Sequence, residues 1–434
     1  MMKKTPLKNL DLDLYTEKLD NGLTVYIIPN NKVNNIYAQY TTKYGSVDNK
    51  FVPIGETEMI EVPKGIAHFL EHKVFEQEDG SDAFDFFGER GADANANTSN
   101  YRTTYLFSGC ESFYENLDFL QSYVESPYFT DKNVEKEKGI IIQEIGMYKD
   151  SPGSVLYENL LYNTIAEHPF RYSVIGTEES VSSITKEDLY MCYNTFYHPS
   201  NMFITVTGNV DPEEVLNHIK EHQDKRNMEE AKKIEMPTYE EPDQVYKEYD
   251  EKKMNVSMPR FGLAYKFNVE KILEKTKLPI NTISKYISIY FGLKGDSTSL
   301  LHEELENEGA INYGFGYDGT YLDKHVVSMV HGMARDPKYV IDRIKESLKV
   351  FDVKEEDLKR KIKASISNLI IESDNIYDMN EKVLSDVINY GDVVTNQIER
   401  VQEYDFNILK EIFDELNFDN SSIYIIYPQN DWFL

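Results

Sequence analysis

The sequence predicts an α+β chain of two related domains, each a mixed sheet carrying helices. Three observations predict it. Short runs rich in Val, Ile, Tyr and Thr alternate with longer segments of helical pattern along the chain. A stretch dense in Lys, Glu and Asp, with Pro237 and Pro242 and few large aliphatic residues, interrupts that alternation near the middle. The pattern before it also returns after it. Residues 129–145 (FTDKNVEKEKGIIIQEI) and 351–369 (FDVKEEDLKRKIKASISNL) each pass from an aromatic residue through a capping segment into a charged-then-apolar helix. Each half also closes on a strand-like run, at 201–208 and 422–427. The expected division is a first domain over 1–225, a linker over 226–249 and a second, homologous domain over 250–434. Two such halves can enclose a chamber.

Each element has a local reason. Residues 23–29 (LTVYIIP) follow the turn dipeptide Asn21-Gly22, so 15–29 forms a hairpin. A second strand covers 36–44. The first well-marked helix is 65–75, opened by Pro63 and Gly65, and 81–90 is another with Ser81 as its N-cap. Residues 91–107 (GADANANTSNYRTTYLF) form two strands around a turn near Ser99-Asn100. Helices follow at 110–124 and 130–149, the latter capped by Thr130 and stopped by Asp150-Ser151-Pro152-Gly153. More helix runs to about Ala166 and again over 186–196. A strand at 201–208 and a helix at 211–222 complete the first half.

Composition narrows the function. A hydrophobic fraction of 41% over 434 residues supports large cores, and 28% charged residues mark a globular chain. The net charge of −29, from 46 basic against 75 acidic residues, repels phosphate backbones and anionic lipid. No nucleic-acid or membrane partner is expected; cationic peptides would be attracted, and the same charge also serves solubility. Cys110 and Cys192 form no CxxC pattern and read as two buried free thiols in a reducing compartment. The N-terminus carries Lys3 and Lys4 but no apolar signal region, and no apolar run reaches the ~20 residues of a membrane span. A cytoplasmic location follows as the expectation.

The chemistry concentrates in H-F-L-E-H at 68–72. His68 and His72 stand four apart in a helical segment, which puts both imidazoles on one face, one turn apart. Two neutral imidazole nitrogens suit Zn²⁺, and Glu71 between them can act as a general base towards a water. With nine histidines in the chain, a chance H-x-x-E-H is rare. The apolar neighbours Ile66, Ala67, Phe69 and Leu70 suggest burial, where a histidine pair needs a partner. Zinc needs a third protein ligand and an open position. Glu137 and Glu144, two turns apart on the helix over 130–149, both present themselves. Glu144 stands among Ile140, Ile141, Ile142 and Ile145, where a buried unpaired carboxylate is costly and a metal resolves the cost; a solvated helix face is the lesser reading, and Glu137 by itself reads as part of a surface charge run.

GIAHFLEHKVF followed by Glu144 within EKEKGIIIQEIGMYKDSP resembles the insulinase/pitrilysin family of zinc peptidases, and its processing-peptidase-like branch most. The resemblance covers nearly the whole chain and is strongest over 45–212, including GADANANTSNYRTTY and YHPSNMFITVTGNVDPEEV. It implies mostly antiparallel sheets, the two domains forming half of a clam-shell chamber. It also implies zinc on His68, His72 and Glu144, Glu71 as general base, and Glu137 supporting the ligands. The GADANAN stretch resembles the family's edge strand, which takes the peptide as an added strand. Ala92, Asn95 and Ala96 would then meet the substrate backbone, although Asn95 alone also reads as an ordinary turn residue.

One departure stands out. The family often carries S-R-L-x-x-x-L-R-x-x-x-G-L-A-Y in its second half, with Arg and Tyr reaching the substrate. The matching segment, 299–313 (SLLHEELENEGAINY), keeps Tyr313 but has Glu306 at the arginine position. In the family's two-chain members a homologous partner without the zinc motif supplies that pair. The expected assembly is therefore a heterodimer with such a partner, a homodimer ranking behind it. The expected function is zinc-dependent endopeptidase action on short or unfolded peptides, in peptide maturation or leader processing. The alternative is a non-catalytic assembly subunit on the same scaffold.

Overall fold

Runs of β-branched and aromatic residues become strands, and 3.6-period segments become the helices that cover them. The computed structural model describes residues 2–231, 233–311 and 314–429. In chain order the elements are β1 (Lys3–Leu7), β2 (Leu12–Lys18), β3 (Thr24–Pro29), β4 (Ile36–Thr42), β5 (Lys50–Phe51), β6 (Ile60–Glu61), α1 (Ile66–Val74), α2 (Ala83–Gly88), β7 (Asp93–Thr98), β8 (Thr103–Gly109), α3 (Phe113–Val124), α4 (Asp131–Asp150), α5 (Pro152–Thr164), α6 (Glu178–Ser183), α7 (Lys186–Phe196), β9 (Met202–Gly208) and α8 (Pro212–Arg226). There follow β10 (Tyr249–Met254), β11 (Arg260–Asn268), α9 (Glu270–Thr276), α10 (Ile280–Gly295), α11 (Leu300–Asn307), β12 (Gly316–Leu322), β13 (His325–Met333), α12 (Pro337–Leu348), α13 (Glu355–Ser373), α14 (Ile376–Tyr390), α15 (Gln397–Gln402), α16 (Phe406–Glu415) and β14 (Ser421–Pro428).

Two main sheets result, of order β1-β2-β3-β9-β4-β8-β7 and β10-β14-β11-β13-β12. Five strands of the first repeat the second in order and direction. β3 runs parallel to β9, as β10 does to β14. Every later neighbour, β9-β4-β8-β7 or β14-β11-β13-β12, is antiparallel. The chain is thus α+β with two related sheet domains carrying helices.

The chain falls into two compact units, each discontinuous in sequence. The first comprises Met1–Ile145, Ser173–Thr238 and Asn368–Ile398; the second comprises Gly146–Tyr172, Tyr239–Ser367 and Glu399–Leu434. In the first unit, helices including α1, α3 and α7 pack on one sheet face around Tyr40, Tyr105, Phe107 and Ile204. On the other face, α14 brings Met379, Val383 and Leu384 against Tyr26, Ile28 and Phe203. Two covered faces explain why β4 and β9 are buried at every position, without alternation. In the second unit α5 lies on β11 and β14. Gly262 faces this helix, and a Cβ there would stand 2.7 Å from Leu160 Cδ2.

Several local expectations change. Ser81 does not cap α2. Its hydroxyl bonds Asp79, and Asp82 accepts from Phe84 N instead, because the extended backbone that an N-cap needs falls one residue later. Cys192 is buried but Cys110 is exposed, since β8 carries the chain to the sheet end before α3 begins. Among the described residues no helix is long and apolar enough to cross a membrane.

Candidate metal centre

The centre lies in the first unit, on α1, α4 and β7. Gly65 opens α1 with φ +88°, and a Cβ there would stand 2.5 Å from the Ile175 carbonyl oxygen. Only glycine lets the helix start this close to the neighbouring backbone. From that start α1 buries Ile66, Ala67, Phe69 and Leu70 and turns His68, Glu71 and His72 towards α4. Thr130 and Asn133 cap α4 reciprocally: Asn133 N donates to Thr130 Oγ1 at 3.2 Å, and Thr130 N donates to Asn133 Oδ1 at 2.8 Å. The helix so anchored carries Glu137 and Glu144 to the α1 histidines.

His68, His72 and Glu144 converge, with one ligand atom from each lying within 4.8 Å of the others. Glu144 Oε2 is 3.8 Å from His68 Nε2 and 3.5 Å from His72 Nε2. Donors on a tetrahedral zinc, at its usual bond lengths, stand about 3.4 Å apart. The two carboxylate-to-imidazole distances suit such an ion. His72 Nδ1 donates to Glu137 Oε1 at 3.0 Å, which leaves Nε2 bare on the side of Glu144. His68 Nδ1 is buried and meets no acceptor among the described residues.

The electrostatics agree with a bound cation. Burial, with His72 adding repulsion, pushes His68 down to about 3, so its ring is neutral and ready to ligate. Burial opposes charge on His72, but its bond to Glu137 and the charges of Glu137, Glu71 and Glu144 outweigh that and raise it. Burial also holds the Glu71 carboxyl above its usual range, against the pull of a hydrogen bond from Thr98. Three carboxylates around two imidazoles leave a surplus of negative charge that a divalent cation would neutralise.

A cavity of about 440 Å³ opens beside this cluster, lined by Glu71, His72, Glu137, Asn95 and Ala96 among others. Asn95 and Ala96 belong to β7, an edge strand of the sheet whose Asp93, Asn95 and Asn97 are exposed. The outward Ala96 N–H is met by Asn95 Oδ1 at 2.9 Å. Of the other residues singled out from sequence, Ala92 is buried just before β7 and is not among those lining the cavity. Tyr313 lies outside the described residues. Glu306 is exposed on α11, 4.0 Å from His302.

Sequence reasoning passed over four residues here. Phe75 and Phe84 stack with ring centroids 4.5 Å apart and form one wall of the cavity. Lys73 is fully buried and pairs with Glu76, another lining residue. Thr98 reaches Glu71. The motif itself offered a signal for Lys73, a cation inside an apolar helix; Thr98 had none without the hairpin register.

The insulinase (peptidase family M16) model matches residues 51–178, and the peptidase M16 inactive-domain model matches residues 183–364. YmfH of Bacillus subtilis strain 168, named an uncharacterized zinc protease, is 43% identical over 352 residues, 80% of either chain. A solved structure described as an M16-like peptidase from Alicyclobacillus acidocaldarius aligns with a TM-score of 0.89 at 32% identity, over 97% of this chain and 99% of that one. The Arabidopsis thaliana protein named as a probable mitochondrial-processing peptidase subunit beta is 29% identical over 160 residues, 36% of this chain and 30% of that one. The convergent histidine pair, the paired sheets and these matches agree: the chain belongs to the insulinase family of peptidases, M16.

Proposed function

We propose that the chain is a zinc-dependent endopeptidase that cleaves short or unfolded peptides, acting in peptide maturation or leader processing with a homologous partner subunit. The observation that carries this reading is the convergence of His68, His72 and Glu144, with Glu71 beside them, on a cavity bordered by an open strand edge. His68, His72 and Glu144 would hold the ion, and Glu137 would keep His72 in the ligating tautomer. Bound there, zinc would supply a Lewis acid that polarises the peptide carbonyl and makes water acidic enough to attack at neutral pH.

The protein's own groups do the rest. The exposed edge of β7 receives the peptide as an extra antiparallel strand, which fixes the scissile bond relative to α1. Asn95 leaves Ala96 N–H and turns to the incoming backbone. Glu71, held above the usual carboxylate range by burial, takes a proton from the attacking water and returns it to the leaving amine. Family membership supports the peptidase class. The relative named as a subunit supports pairing with a second chain, since Glu306 stands where the family's substrate-binding arginine is found. Free cysteines accord with a cytoplasmic setting.

The test measures metal and turnover together. Purified protein should hold about one zinc per chain, the expectation for a three-ligand site. It should cleave a quenched unstructured peptide, alone or with its partner. A chain that binds no zinc, or one that binds zinc yet cleaves nothing with any zinc-motif-lacking homologue, refutes the reading in favour of an assembly subunit.

A further inference from the structure

We infer that Thr98 is a positioning residue that fixes Glu71 through its hydroxyl and so ties the base to the strand that receives the peptide. The inference rests on the peptidase reading above for its kinetic consequence, but not for its geometry. Thr98 Oγ1 donates to Glu71 Oε2 at 2.6 Å, a length typical of a hydroxyl on a charged carboxylate. Thr98 is the last residue of β7, paired in register with Thr103 at the start of β8. Their hydroxyls stand 3.3 Å apart, and Thr103 Oγ1 donates to the Tyr44 carbonyl oxygen at 2.9 Å.

Proton counting decides what this arrangement does. Each threonine hydroxyl has one proton. Thr103 spends its proton on Tyr44, so it has none for Thr98. The Thr103 hydroxyl could then only accept, and at 3.3 Å it competes poorly with the Glu71 oxygen at 2.6 Å, so Thr98 directs its proton to Glu71. Glu71 Oε2 is thereby committed as an acceptor, and Oε1 is the oxygen left to exchange a proton with water. A carboxylate on three rotatable bonds is thus reduced to one working oxygen in one place. The hairpin end is itself immobilised: Ser46 N donates to Ser99 O at 3.0 Å and Val47 N to Asn100 O at 3.1 Å.

The test uses the full chain as wild type, as Thr98→Val, which keeps the shape without the hydroxyl, and as Thr98→Ser, which keeps the hydroxyl. The first readout needs neither metal nor substrate: crystal structures of the three metal-free proteins. We expect the Glu71 carboxylate to bond residue 98 in wild type and Thr98→Ser, and to shift or spread over rotamers in Thr98→Val. One unchanged Glu71 position in all three overturns the inference, whatever the activity. The second readout is peptide turnover by zinc-loaded protein with partner. Thr98→Val should lower kcat on the order of 10- to 100-fold, with KM within about 2-fold and zinc content unchanged; Thr98→Ser should recover most of the loss. Wild-type kcat in Thr98→Val, no rescue by serine, or loss of zinc each overturns it. A wild type without zinc and turnover would instead refute the peptidase reading, and the metal-free structures would still decide this one.

Discussion

Glu71 and Glu144 are the same side chain in the same cluster, and the proposed chemistry asks opposite things of them. Glu144 must stay ionised and touch the metal, so its charge and its oxygen both count. Glu71 must exchange a proton, so its basicity counts and its charge contributes little to holding the ion. Glutamine separates the two roles, because it keeps the size and removes the proton acceptor. Glu71→Gln should retain about one zinc per chain and lose turnover by a factor on the order of 10² to 10⁴. Glu144→Gln should lose most zinc at the same protein concentration. Elemental analysis beside a turnover assay checks both; an active Glu71→Gln would place the base elsewhere. At this scale the centre was legible where residues sit close in sequence. His68, Glu71 and His72 share one helical turn and half, so periodicity alone put them together. Glu144 could be found only as a carboxylate misplaced among isoleucines, while Glu137, in a charged run, carried no such mark. Thr98 was not legible, because its contact with Glu71 depends on which face of β7 meets α1.

Elements were legible where the turn chemistry was local. The Asn21-Gly22 hairpin and the helix over 186–196 stand where residue pattern puts them, at β2-β3 and α7. What escaped was long-range. The acidic stretch after α8 has a linker's composition, yet Glu241 within it is buried. Its carboxylate accepts from the N–H groups of Ala166, Glu167 and His168 at 2.7, 2.8 and 2.8 Å and from Lys266 Nζ at 2.7 Å. Burial alone would raise this carboxyl, but those donors outweigh it and hold it below its usual range. A group depressed in the folded state stabilises above its unfolded pKa, about 4.3 for Glu, and loses that contribution as pH falls through the folded value. Glu241→Gln should therefore destabilise the second unit by roughly 3–5 kcal/mol near neutral pH, since it strands buried Lys266. The difference from wild type should shrink in acid. Denaturant titrations at pH 7 and pH 4 measure both. Gly65 gives a second element-scale test. An alanine there takes a left-handed backbone and a 2.5 Å contact with Ile175 O. Gly65→Ala should cost roughly 2–4 kcal/mol and weaken zinc binding through the shifted start of α1. Unchanged stability would show that the neighbouring loop yields without cost.

At the scale of the molecule, one strand arrangement is used twice, and among the described residues the metal-ligating histidine pair stands in the first copy. The second copy departs from the family's sequence pattern at α11. There the family's pattern would place an arginine seven residues before its tyrosine, and this chain has Glu306, an exposed acid that can only accept hydrogen bonds. A peptide added to β7, as proposed, would satisfy one row of its backbone groups on that edge and leave the other row outward. Each outward group left buried without a partner costs roughly 1–3 kcal/mol. Donors for that row are what a homologous chain lacking H-x-x-E-H, but keeping arginine and tyrosine, would bring. A net charge of −29 would favour association with a less acidic partner and would make it salt-sensitive. We therefore expect the isolated chain, zinc bound, to turn over peptides weakly, and the partner to raise kcat/KM by at least ~10²-fold without changing zinc content. Raising the salt should weaken the association before it affects metal retention. Glu306→Arg in the isolated chain should not restore full activity, because the donors are needed from the partner's side of the peptide. The measurement is a quenched-peptide assay with and without the partner over a salt series, alongside sedimentation of the mixture. Full activity from the chain alone would show that a donor of its own completes the site, and the heterodimer would then have no catalytic reason to exist.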